Sequence, residues 1–92
     1  MTSDIQHDPA AARFSLVVDG WEAELTYRQS GERMVIDHTG VPAQIGGRGI
    51  AGRLVQVALE YARARGWRVV PACSYAATWI ERHPEYQGLV VE

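Results

Sequence analysis

The chain changes period at one place, and that change limits the folds open to it. Before Val41 its apolar residues alternate at every second position; after Gly49 they recur every third or fourth. Between the two lies Gly46-Gly47-Arg48-Gly49-Ile50-Ala51-Gly52, with four glycines in seven residues. A strand therefore runs into a glycine-dense turn, and an amphipathic helix leaves it. Glycine lets backbone N–H groups approach a ligand closely. A helix start adds N–H groups without intrahelical partners and the positive end of the helix dipole. Together these make an anion site suited to a phosphate or pyrophosphate. The plain alternative is a tight strand-to-helix turn with no ligand, although each glycine costs extra backbone entropy on folding.

The residues upstream read as an antiparallel meander. Residues 5–7 form a short edge strand that Asp8-Pro9 stops. In residues 13–19, Phe14, Leu16 and Val18 share one face; beyond Gly20, Trp21, Ala23, Leu25 and Tyr27 alternate with Glu22, Glu24, Thr26 and Arg28. Two such runs joined by Asp19-Gly20 predict a hairpin with a type I′ turn. Residues 29–32 turn again, and residues 33–41 form a third long strand with Met34, Ile36 and His38 on one face and Val35, Asp37 and Thr39 on the other.

Downstream, residues 47–65 form the helix, with Ile50, Leu54, Val57, Ala58 and Tyr61 on its apolar stripe and Gly66 as its stop. Residues 67–71 form a strand parallel to the one before the helix, completing a βαβ unit. Ser74 then caps a second helix, 75–82, which Pro84 ends, and residues 87–92 add a short closing strand. The expected fold class is mixed α+β: a β-meander continued by a βαβ unit and a second C-terminal helix. Residues 1–4 are expected to be disordered and residues 5–92 to form a single domain of this 92-residue chain.

Bulk composition excludes several partners. The net charge is −2, and all nine cations are arginine, so no general attraction to nucleic acid or anionic lipid is expected. No apolar run approaches the ~20 residues of a membrane span, and the polar, acidic start is not a secretion signal, which makes the cytoplasm the expected location. One cysteine, Cys73, rules out an internal disulfide, and no histidine pair has metal-ligand spacing, so no metal is expected. His7 and His83 read as surface residues, and Trp21, Trp67 and Trp79 as core or groove walls.

Three phosphate-binding patterns compete for the glycine turn. A P-loop fails because the chain contains no lysine. The dinucleotide pattern G-x-G-x-x-G is met by Gly47, Gly49 and Gly52, but no acid follows the next strand at Val70-Pro71-Ala72-Cys73 to hold a ribose. The third pattern, Q/R-x-x-G-x-G/A, is met by Gln44, Gly47 and Gly49. Here the chain resembles the GNAT superfamily of acyl-CoA-dependent N-acyltransferases, and most closely its minimal single-domain branch. Three further segments of that branch stand in order: His38-Thr39-Gly40-Val41-Pro42, Pro71-Ala72-Cys73-Ser74-Tyr75 and Arg82-His83-Pro84. The resemblance spans residues 5–90.

The resemblance implies two splayed strands with acyl-CoA in the fork, and transfer of an acetyl group from acetyl-CoA to a primary amine of a protein or small molecule. Backbone groups at Thr39, Gly40 and Val41 would pair with the pantetheine. The turn from Gln44 through Gly46, Gly47, Arg48, Gly49, Ile50 and Ala51 would hold the pyrophosphate. Arg48 adds a charge-assisted contact, while Arg53 is either a second contact or a solvated charge. A backbone N–H at a strand bulge near Val41 would serve as oxyanion donor. Many relatives carry Glu where this chain has Gly40, which removes the nearest base. His38 is the nearest remaining titratable group and either acts as base or packs in the core. Cys73, between a strand end and a helix start, is an acyl acceptor, a proton donor to the leaving thiolate, or an apolar wall. Tyr75 and Tyr86 are candidate proton donors by analogy, with aromatic packing as the alternative. A monomer or weak dimer is expected. The competing reading is a CoA-binding sensor or adaptor with no transferase activity.

Overall fold

A computed structural model describes residues 4–91. Its centre is a five-stranded sheet in chain order: β1 (Gln6–Asp8), β2 (Arg13–Val18), β3 (Trp21–Ser30), β4 (Arg33–Gly40) and β5 (Arg68–Pro71). The first four strands pair antiparallel, and β5 joins β4 in parallel. Helix α1 (Ile50–Ala64) connects β4 to β5, and α2 (Ser74–Glu81) follows. Asp19 and Gly20 both have positive φ, 52° and 80°, which makes the β2–β3 link the type I′ turn that suits right-handed strand twist. The next turn is tighter than the sequence suggests, because β3 runs to Ser30 and only Gly31 and Glu32 separate it from β4.

One face of the sheet is covered and the other is open. Phe14, Leu16, Ala23, Leu25, Tyr27, Met34, Ile36 and Val69 are buried beneath Ile50, Leu54, Val55, Ala58, Leu59 and Ala62 of α1. Burying this apolar surface at roughly 25 cal/mol per Å2 is what holds so short a chain together. The open face carries charge pairs instead: Arg13 with Glu22 and Glu24, and Arg28 with Asp37.

The largest departure from simple alternation lies in β4. Tyr27 pairs with Ile36 but Thr26 pairs with His38, so β4 spends one extra residue, Asp37, in a β-bulge. The bulge inverts the facing of everything after it. His38 is exposed on the open face rather than lying beside Met34 and Ile36, and Thr39, opposite Leu25, takes the covered side. The bulge also falls at Asp37, not near Val41.

Other expectations need smaller corrections. Residues 43–45 form a 3-10 turn before the helix, which begins at Ile50 with Gly49 as its N-cap rather than at Gly47. The cap of α2 is Cys73, and Ser74 is already helical. The closing segment is a 3-10 helix, Pro84–Leu89, followed by a single parallel bridge from Val69 to Val90. Trp67 is buried and Trp79 half-buried, but Trp21 is 43% exposed. The expectation of a frayed start falls mostly on residues 1–3, outside the described residues. Among the described residues no helix is long and apolar enough to cross a membrane.

His7 and His83 are not free surface residues. The His7 ring stacks on Phe14 at 4.0 Å, meets Tyr61 edge-on, and bonds the Tyr27 hydroxyl at 2.6 Å. The His83 ring stacks on Trp79 at 3.6 Å, with Nδ1 2.6 Å from the Trp79 carbonyl. Both are half-buried: His7 by aromatic neighbours from β2, β3 and α1, and His83 by Trp79 four residues before it at the end of α2.

Candidate active site

The parallel pair β4–β5 is where the sheet opens. β5 ends at Pro71, opposite Ile36, whereas β4 continues to Gly40. The Ala72 N–H turns back to the Val70 carbonyl, and the Cys73 N–H makes the last link, to the Ile36 carbonyl at 2.9 Å. Among the described residues no strand pairs with residues 37–40 on that side. Proline at the end of β5 contributes to this, since it has no N–H to extend the ladder.

At the end of β4 the chain enters a cleft of about 260 Å3 lined by Val41, Ile45, Gly46, Gly47, Gly49, Ile50, Ala51 and Tyr75. Gly47 and Gly49 hold φ of 77° and 74°, in the left-handed region that a side chain disfavours. The first α1 hydrogen bond runs from Arg53 N–H to Gly49 carbonyl, so the N–H groups before it lack intrahelical partners. The first turn of α1 contains no acidic residue. The cleft floor is thus a dipole-positive helix start whose backbone is bare enough to meet an anion.

Of the residues expected to hold the pyrophosphate, Gly46, Gly47, Gly49, Ile50 and Ala51 line the cleft, while Gln44 and Arg48 do not; of those expected to meet the pantetheine, Val41 lines it. Gln44 is exposed in the 3-10 turn and does not line the cleft. Arg48 is held away by Asp19, at 2.8 Å. Thr39 and Gly40 lie on the free stretch of β4 rather than in the cleft. Ile45 is a lining residue that the motif does not mark; it is fully buried, and an apolar residue between Gln44 and Gly46 is the only sequence hint of it. Tyr75, 41% exposed, lines the cleft from α2, with its hydroxyl 3.5 Å from where a Cβ on Gly52 would stand.

Cys73 and Thr39 meet beside the opening, with the thiol 3.8 Å from the Thr39 hydroxyl. Cys73 caps α2 with extended backbone, φ −85° and ψ 130°. Burial by itself pushes its thiol up. The Ala76 N–H, the Thr39 hydroxyl, and the Tyr75 and Thr39 N–H groups outweigh burial, and the net result lies below the ordinary 9.0. The thiol closes no formal capping bond, yet these donors are near enough to favour its thiolate. His38 lies on the other side of β4 from this pair, its imidazole folded over Gly40. Tyr86 is outside the site: it is buried against Glu60 and Gln56 of α1, and the 2.5 Å bond to Glu60 raises its pKa. Among the described residues no three His, Cys, Asp or Glu side chains are grouped to hold a metal ion.

An opened parallel pair beside a glycine-turned helix start defines the class of fold, and comparison with known proteins agrees. A family model described as GCN5-related N-acetyl-transferase matches residues 13–89. The chain belongs to the GCN5-related N-acetyltransferase (GNAT) family. Protein NATD1 of Mus musculus is 32% identical over 88 residues, covering 92% of this chain and 80% of that protein. Protein NATD1 of Homo sapiens is 31% identical over the same length, covering 92% and 78%. A solution structure of a GCN5-like protein from Staphylococcus aureus superposes with a TM-score of 0.76 at 29% identity, covering 98% of this chain and 91% of that one.

Proposed function

We propose that this chain binds acetyl-CoA and transfers the acetyl group to a primary amine. The observation that carries the reading is the continuity of three features: the anion-ready cleft at Gly46 to Ala51, the unpaired stretch of β4, and the Cys73–Thr39 pair between them. The pyrophosphate lies on the α1 start. The pantetheine amides pair with β4 in place of the missing strand, and the thioester reaches the gap between β4 and β5. The acceptor amine enters from the open face, where His38 stands.

The chemistry then follows from the two sides of β4. His38 takes a proton from the acceptor ammonium, and the freed nitrogen lone pair attacks the thioester carbonyl carbon. A backbone N–H at the end of β4 stabilises the oxyanion. The intermediate collapses as the C–S bond breaks; the coenzyme A thiolate takes a proton from Cys73 or Tyr75, and the amide nitrogen loses its second proton to solvent. Cys73 as proton donor is favoured by a thiol more acidic than usual. Transient acetylation of Cys73 is the competing route.

Two measurements test the reading. Coenzyme A at about 100 times its Kd stabilises by ~2.7 kcal/mol, which in a domain this small raises Tm by about 10 °C or more. Absence of a shift with coenzyme A or acetyl-CoA overturns the proposal. Acetyl-CoA consumption across a panel of amines and peptides separates a transferase from a coenzyme-binding adaptor, which the glycine at position 40 would also suit. A covalent acetyl adduct seen by intact mass and lost in Cys73→Ala identifies the acyl-enzyme route; full activity in Cys73→Ala reduces that residue to a wall.

A further inference from the structure

We propose that Gly40 is a positioning residue whose missing side chain seats the His38 imidazole over the end of β4. The inference rests on the transferase reading above. A Cβ built on Gly40 would stand 2.8 Å from His38 Nε2, and its three nearest atoms all belong to that ring. Gly40 is not in the left-handed region, so its backbone does not call for glycine. What calls for it is the ring. Because of the bulge at Asp37, His38 and Gly40 share the open face, and the imidazole folds back along the strand into the space a side chain at position 40 would take.

The register shows what else faces the notch. Gly40 pairs directly with Glu24, and His38 with Thr26, on the same face. The Glu24 carboxylate is drawn toward Arg13 of β2, on the side of β3 away from β4, at 2.9 Å. The other charges on this face are Arg13 on β2, Glu22 and Arg28 on β3, and Asp37 on β4; Arg13 is shared with Glu22, and Arg28 is taken by Asp37. Arg33 and Arg68 pair at the far end of the β4–β5 ladder. The charged side chains of this face are thus paired with one another, and the imidazole is the group left over the notch to take a proton from the acceptor ammonium. Glycine at position 40 is thereby a way of admitting an imidazole base rather than the loss of a carboxylate one.

The test compares wild type, Gly40→Ala, His38→Ala and the His38→Ala/Gly40→Ala double variant. Acetyl-CoA and lysine amide are the substrates, and Tm with and without coenzyme A is a parallel readout. Gly40→Ala is expected to lower kcat at least about tenfold, a modest part of what a positioned base contributes, and to change the pH dependence of kcat/KM. Coenzyme A stabilisation stays as in wild type. In the His38→Ala background the same substitution is expected to add no further loss, since Gly40 acts only through the ring. Wild-type kinetics and pH profile in Gly40→Ala, or full additivity in the double variant, overturn the inference. A separate readout needs no turnover: the His38 ring resonances in 1H–15N spectra are expected to move in Gly40→Ala and to stay with the other imidazoles if the inference is wrong. Loss of coenzyme A binding in wild type would strike the functional reading; unmoved ring resonances would strike this one.

Discussion

Asp37 shows how much one residue can decide. A regular β4 would bury His38 beside Ile36 and turn Thr39 to solvent; the extra residue reverses both and leaves an imidazole on the open face with a hydroxyl against Cys73. The Cys73 environment makes a direct prediction. Donors from Ala76, Thr39 and Tyr75 favour the thiolate, so the pH midpoint for alkylation by iodoacetamide is expected below the ordinary 9.0. Thr39→Val removes one donor and should move that midpoint up. An alkylation midpoint at or above 9.0 in the wild-type protein would contradict the donor arrangement.

At the scale of elements, β1 is held by its aromatic setting as much as by its ladder. Burial among Phe14, Tyr27 and Tyr61 lowers the His7 pKa; Asp8 opposes this and Arg65 adds to it. A lowered folded-state value means that the unfolded chain binds the proton more readily, so stability rises with pH in this window. The His7 contribution is complete above its unfolded value of 6.5 and is lost as pH falls below it. The expected outcome is a Tm that drops on acidification from pH 6.5, with a shallower drop in His7→Phe. Equal slopes in the two proteins would assign the loss to carboxylates instead.

The α1–α2 contact makes another prediction at this scale. A Cβ on Gly52 would stand 2.8 Å from the Trp79 Nε1, and Trp79 is itself stacked on His83. Gly52→Ala gains up to ~1 kcal/mol of helix propensity but overpacks a rigid ring at a cost of about 1–3 kcal/mol. A net fall in Tm, with the cleft-lining Tyr75 displaced, is expected by thermal melting and by weaker coenzyme A stabilisation. A raised Tm would show that α2 can give way without cost.

The molecule as a whole is a single layer of helices on one face of a five-stranded sheet, and its margin is small. Leu54 is fully buried where α1 crosses the sheet. Leu54→Ala is expected to cost about 2–5 kcal/mol, a large share of the roughly 5–15 kcal/mol that small domains possess. A urea midpoint close to wild type would mean that the core collapses around the cavity. The same thinness bears on the proposed reaction: among the described residues no second helical layer covers the open face of β3 and β4, beside the cleft. In that proposal the acceptor reaches the gap between β4 and β5 from one side and the coenzyme lies on the other.

Local signals were enough for much of this. Alternation in residues 13–28, the Asp19-Gly20 turn, the helical stripe beginning at Ile50 and the order of the glycine and Pro-x-Cys motifs specify the meander, the crossover and the family, because each depends on residues a few positions apart. The facing of His38 and Thr39 was not legible, since a bulge is a property of two paired strands and leaves no mark on one of them. Nor were the burial of His7, the pull of Asp19 on Arg48 or the space above Gly40, which arise between residues brought together by the fold. The sequence by itself determined the meander, the crossover, their order and the glycine-dense turn; only the tertiary structure decided which side chains stand on which side of β4, because that depends on register.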